Sequence, residues 1–335
     1  MQPNWMPKKI YYEPASLDYE LGRTLFEKYK TLPWIPIESH NRIETLRKSE
    51  NSQFPELKQY LIIGVRKTHH YTPNYKSSDF LVPYTSSGCS AMCLYCYLVC
   101  NYNKCSYLRL FVNREQMLEK IERTAERAER ELTFEIGSNS DLVLENTITH
   151  NLEWTIEQFA KSKRGRLTFP TKFDFVEPLL TLDHRRKTIA RMSVNPPEII
   201  RRVEFGTAPL DRRIAAVNRL CEAGYPVGLL IAPVILTGNW KELYAELFQT
   251  LAQSLSEKVK KEMFVEMILM TYSYVHRAIN REAFPNAIDL YDAEQMTGRG
   301  RGKYCYRPGV RTQAEEFLRS EFAKYFDPAK ILYIS

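Results

Sequence analysis

Five of the seven cysteines, Cys89, Cys93, Cys96, Cys100 and Cys105, fall within 17 residues, while Cys221 and Cys305 stand apart. The first three form Cys89-Ser-Ala-Met-Cys93-Leu-Tyr-Cys96, a C-x3-C-x2-C loop. Three thiolates on one short loop can hold three irons of a cubane [4Fe-4S] cluster and leave the fourth iron to a ligand from outside. Zinc is the competing use, but structural zinc takes four ligands, typically as pairs far apart in sequence. Here only Cys100 or Cys105 could complete such a set. The N-terminus, MQPNWMPKKIYYEP, has no apolar signal-peptide core behind its charges, so a cytoplasmic location is expected. In a reducing cytosol a cysteine knot of this kind points to metal or redox chemistry rather than disulfides.

A second group lies near the C-terminus. Arg299, Arg301, Lys303, Arg307 and Arg311 follow one another with no acid between them, interleaved with Tyr304 and Tyr306. Basic side chains neutralise phosphates and aromatic rings stack on unpaired bases, so the segment suits a nucleic acid; a solvated basic loop is the plain alternative. The net charge of +7 leans weakly the same way.

The elements that must position these groups show a βα rhythm from about residue 79. Strands are expected at Phe80 to Tyr84, Leu132 to Gly137, Leu167 to Lys172, Ile189 to Val194, Val227 to Val234 and Met263 to Met270. Helices intervene, most clearly Trp240 to Leu255, whose Trp240, Leu243, Tyr244, Leu247, Phe248, Leu251 and Leu255 form one apolar stripe. Six alternating units imply an α/β fold: a partial (β/α)6 TIM-like barrel, with its chemistry at the C-terminal ends of the strands. The cysteine loop follows the first strand and Lys172 ends the third, where it suits a ligand carboxylate. The expected domains are an irregular N-terminal cap over 1–75 with one strand at Leu61 to Val65, the barrel over 76–285, and a C-terminal hairpin, helix and final strand over 286–335. The 44% hydrophobic and 26% charged composition excludes a disordered or collagen-like chain. No apolar stretch approaches the roughly 20 residues of a membrane span.

The loop Cys89, Cys93, Tyr95, Cys96 resembles that of the radical S-adenosylmethionine (SAM) enzymes. Over most of the chain the sequence further resembles the spore photoproduct lyases, in GVRKT at Gly64 to Thr68, CLYCYL at Cys93 to Leu98, Ser140-Asp141, TKF at Thr171 to Phe173 and Ser193-Val194-Asn195. FGTAPLDRRI at Phe205 to Ile214, AGYPVG at Ala223 to Gly228, IAP at Ile231 to Pro233 and GRGKY at Gly300 to Tyr304 continue the series. The resemblance implies a [4Fe-4S] cluster on Cys89, Cys93 and Cys96, and S-adenosylmethionine contacted by Ser140, Lys172, Ser193, Asn195 and Ala232. It implies a lyase that reverts 5-thyminyl-5,6-dihydrothymine in double-stranded DNA to two thymines through a 5′-deoxyadenosyl radical. A flavodoxin or ferredoxin as electron donor, the spore core as location and no membrane partner come with it. Arg299, Arg301, Lys303 and Tyr304 would then belong to a DNA-contacting hairpin.

Two departures stand out. The cysteine that gives the final hydrogen in better-known members would fall after FEIG, where this chain has Ser138, and a serine O–H bond is too strong for that step. Gly300 replaces a tyrosine that follows the hairpin arginine. Cys305 is therefore the expected thiol donor, ahead of Cys100 and Cys105, with Tyr95 and Tyr97 as relays. The competing enzyme class is a radical SAM enzyme acting on RNA or another substrate; the competing non-enzyme is a zinc-stabilised nucleic-acid-binding protein.

Overall fold

The structure is a computed structural model that describes residues 5–101 and 107–335. Cys105 lies outside the described residues, and Cys100 is placed only as part of the short helix Leu98–Asn101.

Val227–Val234, with its near-continuous apolar run, is the kind of strand a parallel sheet buries on both faces. It sits mid-sheet in an eight-stranded array. From one edge to the other the strands are Ile331–Ile334, Phe264–Leu269, Val227–Val234, Thr188–Ser193, Arg166–Thr171, Thr133–Glu135, Phe80–Leu81 and Thr72–Pro73. All neighbours are parallel except the last pair. Spatial order therefore follows chain order, as in a (β/α) barrel, and the sheet curls into the expected partial barrel. Helices such as Leu210–Glu222 and Trp240–Ser254 cover it, and Leu243, Tyr244, Leu247, Phe248 and Leu251 of the expected stripe are buried.

The first strand is shorter than the expected Phe80 to Tyr84. The Val82 N–H still donates to the Glu135 carbonyl at 2.8 Å, and Pro83, with no N–H of its own, follows directly. One edge strand escaped the sequence reading, Thr72–Pro73, too short to show alternation; the expected final strand is Ile331–Ile334, which the chain reaches after the C-terminal helix Pro308–Phe322 and adds to the other edge of the sheet.

The N-terminal region is not the irregular cap expected. Lys9–Tyr12, Trp34–Pro36 and Tyr60–Gly64 form a parallel sheet that Leu108–Phe111 extends. Ser86–Ser87 closes that sheet antiparallel and runs directly into the cysteine loop. Residues beyond 75 thus complete the N-terminal unit. Similarly Thr271–Ser273, ahead of residue 286, pairs with the hairpin Met296–Gly300 and Lys303–Tyr306. Arg301 and Gly302 make the hairpin turn with φ of +51° and +70°, the left-handed pair of a type I′ turn. No helix among the described residues is long and apolar enough to cross a membrane.

Candidate active site

The cysteine loop is pinned at five points. Gly88 bridges Ser140, whose Oγ donates to the Gly88 carbonyl at 2.7 Å. Met92–Cys93 pairs antiparallel with Glu204–Phe205. Asn280 donates to the Leu94 carbonyl at 2.7 Å, and His276 Nδ1 lies 3.0 Å from the Cys96 carbonyl oxygen. Lys58, itself buried, donates to the Cys89 carbonyl at 2.9 Å. The loop thus occupies the C-terminal mouth of the half barrel, beside Ser140, Lys172, Ser193 and Ala232.

Burial pushes the Cys89 thiol up to about 11, with Lys58 pulling the other way, and burial followed by the negative charge of Glu204 pushes Cys93 up further. Two thiols so placed keep their protons unless a metal takes the protons' place. Among the described residues no three His, Cys, Asp or Glu side chains converge on one ion position. A donor set of three thiols spread along one loop fits a multi-iron cluster better than a single ion.

Below the loop lies a buried polar floor. Tyr95 donates to Glu204 Oε1 at 2.5 Å, Asn195 Nδ2 donates to the same oxygen at 2.9 Å, and Arg213 Nη2 meets Glu204 Oε2 at 2.7 Å. Arg213 also donates to the carbonyls of Ala208 at 2.7 Å and Ser193 at 3.1 Å. Burial alone would raise the Glu204 pKa, but Arg213, Lys172 and these hydrogen bonds bring it down to about 2, so Glu204 stays ionised.

The predicted cofactor residues converge at this mouth. Lys172 Nζ donates to the Ala232 carbonyl at 3.2 Å and lies 5.7 Å from the Tyr95 ring centre, and the Ser193 Oγ is 3.4 Å from the same carbonyl. Asp141 caps the helix Leu142–Thr149 and also accepts from Thr171 Oγ1 at 2.8 Å and the Lys172 N–H at 2.9 Å. It thereby joins the second and third barrel strands behind Lys172. Tyr97 is half exposed, and its hydroxyl donates to the Ser138 carbonyl, so the tyrosine expected as a relay and the serine expected at the donor position are adjacent.

Cys305 is half buried on the hairpin strand, paired in register with Thr271 and Thr297. Arg299 and Arg301 are exposed. Tyr304, expected to stack on a base, is already occupied: the Tyr274 and Tyr291 ring centres each lie 4.1 Å from its own. Tyr306 is buried, and its hydroxyl oxygen accepts a hydrogen bond from the Leu236 N–H at 2.8 Å.

Sequence reasoning missed Glu204, Arg213, Lys58, His276 and Asn280. Glu204 and Arg213 border or lie inside the FGTAPLDRRI segment, and His276 and Asn280 form an i, i+4 polar pair on the helix Tyr274–Ala283. Those signals were present but carry no chemistry until the cysteine loop is seen against them.

A half barrel with three thiols on the loop after its first strand is the architecture of the radical SAM enzymes, and it superposes on solved spore photoproduct lyase structures with a TM-score of 0.91. A family profile described as spore photoproduct lyase matches residues 5–335. The chain belongs to the spore photoproduct lyase family, and it is an enzyme of the lyase class. The spore photoproduct lyase of Bacillus subtilis (strain 168) is 34% identical over all of both chains, and that of Clostridium acetobutylicum is 30% identical over 98% of this chain and 99% of its own. A solved spore photoproduct lyase complexed with dinucleoside spore photoproduct is 30% identical, with TM-score 0.91 and full coverage of both chains. A doubly substituted spore photoproduct lyase with bound AdoMet and dinucleoside spore photoproduct matches equally, at 30% identity and TM-score 0.91.

Proposed function

We propose that the protein reverts the spore photoproduct in DNA to two thymines, using S-adenosylmethionine and a [4Fe-4S] cluster held by Cys89, Cys93 and Cys96. The observation that carries this reading is the cysteine loop itself, fixed at the barrel mouth within reach of Lys172. When bound, the cluster supplies the electron that releases a 5′-deoxyadenosyl radical from S-adenosylmethionine, the species that takes hydrogen from C6 of the lesion.

The protein's own part is placement. Lys172 offers a cation for the methionyl carboxylate, Ser140, Ser193 and Asn195 offer polar contacts to the amine and ribose, and Ala232 offers an apolar shelf for adenine. A reactive carbon that moved freely would abstract the wrong hydrogen, so this fixing is the main catalytic contribution of the fold. Glu204, kept ionised, holds Tyr95, Asn195 and Arg213 in one arrangement beneath the loop. At the end of the reaction a thymine radical needs a hydrogen atom, which the Cys305 thiol supplies through or beside Tyr97, Ser138 being unable to. The S–H bond breaks as the C–H bond forms, and the thiyl radical left on Cys305 regains its hydrogen from the 5′-deoxyadenosine formed at the start, so that S-adenosylmethionine is regenerated. Arg299, Arg301 and Lys303 hold the phosphates of the double-stranded DNA, and an external flavodoxin or ferredoxin delivers the electron. The reaction takes place inside a spore-forming cell.

Anaerobic reconstitution with iron and sulfide, followed by reductant and S-adenosylmethionine, tests the reading. A brown protein that releases 5′-deoxyadenosine supports it, whereas a colourless zinc protein that binds DNA without cleaving S-adenosylmethionine contradicts it. The Cys305 assignment has its own test: Cys305→Ala should leave trapped thymine adducts, and clean repair by that variant removes Cys305 from the role.

A further inference from the structure

The hairpin carries an aromatic stack with one closed end and one open end. Arg277 closes it: its guanidinium lies 4.1 Å from the Tyr291 ring centre and is bound to Asp289 at 2.8 Å. Tyr291 and Tyr304 follow at 4.1 Å, then Tyr304 and Tyr274 at 4.1 Å with 34° between their planes. Tyr274 ends the series and is 44% exposed.

Tyr274 is held in that position from three sides. Its N–H donates to the Gly302 carbonyl in the hairpin turn at 2.9 Å. It is the first residue of the helix Tyr274–Ala283, which Ser273 caps by accepting from the His276 N–H at 2.9 Å. Its ring lies along the hairpin over Gly298, the register partner of Tyr304, and a Cβ at Gly298 would come within 3.1 Å of the Tyr274 hydroxyl. The glycine leaves room for a flat ring on the hairpin face, and Val275 beside it is also exposed.

We propose that Tyr274, rather than Tyr304, is the platform on which an unpaired DNA base stacks beside the hairpin. Three features favour a base as the occupant. The platform is a fixed ring with an open face, so little side-chain entropy is lost on stacking. Every base has a π-face to offer. Arg299 and Arg301, exposed on the same hairpin, provide the charge for the adjoining phosphates. Extruding a lesion leaves bases on both strands without their stacking neighbours, and such a surface takes one of them up. The inference rests on the proposed DNA repair function and adds to it a residue that reads the opened duplex.

The test uses the whole protein with oligonucleotides carrying 2-aminopurine opposite or beside an unpaired site. Parent protein should quench the probe by stacking, as should Tyr274→Phe. Tyr274→Ala and Tyr274→Leu should lose the quenching and bind about 5- to 150-fold more weakly, the range for one lost base-aromatic stack. The salt dependence of binding should stay as in the parent, because no phosphate contact is lost. Undiminished affinity and quenching in Tyr274→Ala would overturn the proposal. So would parent-like binding by Tyr274→Leu, which preserves packing but not a π-face, or a changed salt slope in either variant. Absence of DNA binding by the parent would instead refute the repair function on which the inference rests.

Discussion

A buried carboxylate survives as an anion only where cations and donors surround it, and Glu204 shows how the residues under the cysteine loop depend on one another. Its partner Arg213 is fully buried and anchors the Ser193 carbonyl as well. Arg213→Met leaves the Glu204 charge uncompensated and should cost about 3–5 kcal/mol, whereas the double change Glu204→Gln with Arg213→Met should recover much of that loss. Urea unfolding of both variants measures the difference, and equal destabilisation would show that the pair does not act as a unit. Each of Cys89→Ala, Cys93→Ala and Cys96→Ala should abolish release of 5′-deoxyadenosine, with iron content read in parallel. Loss of the cluster in Cys100→Ala or Cys105→Ala would show that the three-cysteine ligand set is wrong. At this scale the thiols were legible in the sequence because their type and spacing carry chemistry by themselves, whereas Lys172, alone at a strand end, was singled out only through the TKF segment of the family resemblance. Glu204 and Arg213 were not, since a buried pair is recognised only by what folding brings together.

At the scale of elements, the hairpin Met296–Gly300 and Lys303–Tyr306 combines a left-handed turn, exposed arginines and an aromatic stack on one short ribbon. Arg299→Ala and Arg301→Ala should each lower the salt slope of DNA binding by about one unit, without altering base stacking. Titrations at several salt concentrations measure this, and unchanged slopes would make the ribbon an ordinary surface loop. The six inner barrel strands could be read from the sequence because each is an apolar or alternating run bounded by polar loops. Of the N-terminal sheet only the strand at Leu61 to Val65, found as Tyr60–Gly64, could. Trp34–Pro36 has three residues and Lys9–Tyr12 four, too few for a period, and their pairing is with residues far away in the chain. The surroundings of Tyr304 were hidden for a related reason: sequence showed an aromatic residue in a basic turn, but not that Tyr274 and Tyr291 pack against its ring.

Across the whole molecule, the N-terminal sheet and the half barrel meet through Ser86–Ser87, so the stability of the first bears on the cysteine loop of the second. Glu13 joins the ends of two N-terminal strands: Oε1 accepts from the His40 N–H at 2.9 Å and Oε2 from the Val65 N–H at 2.8 Å. Burial would raise its pKa, but the bonds to His40 and Val65 outweigh it and hold the carboxyl below its ordinary value. A lowered folded pKa gives stability that is complete above the unfolded value and is lost as pH falls through the folded one. Thermal unfolding of the apoprotein should therefore weaken from about pH 5 downward, and Glu13→Gln should flatten that dependence. An identical pH profile in the variant would remove Glu13 from the account.

The central claim is that this fold directs an adenosyl radical to one hydrogen of a DNA lesion. Spore-photoproduct DNA carrying deuterium at C6, incubated anaerobically with reconstituted protein, reductant and S-adenosylmethionine, tests it most directly. The account predicts that thymine is recovered and that deuterium appears at the 5′ carbon of the adenosyl group. Recovery of thymine with no deuterium transfer, or 5′-deoxyadenosine formed with the lesion untouched, would contradict it.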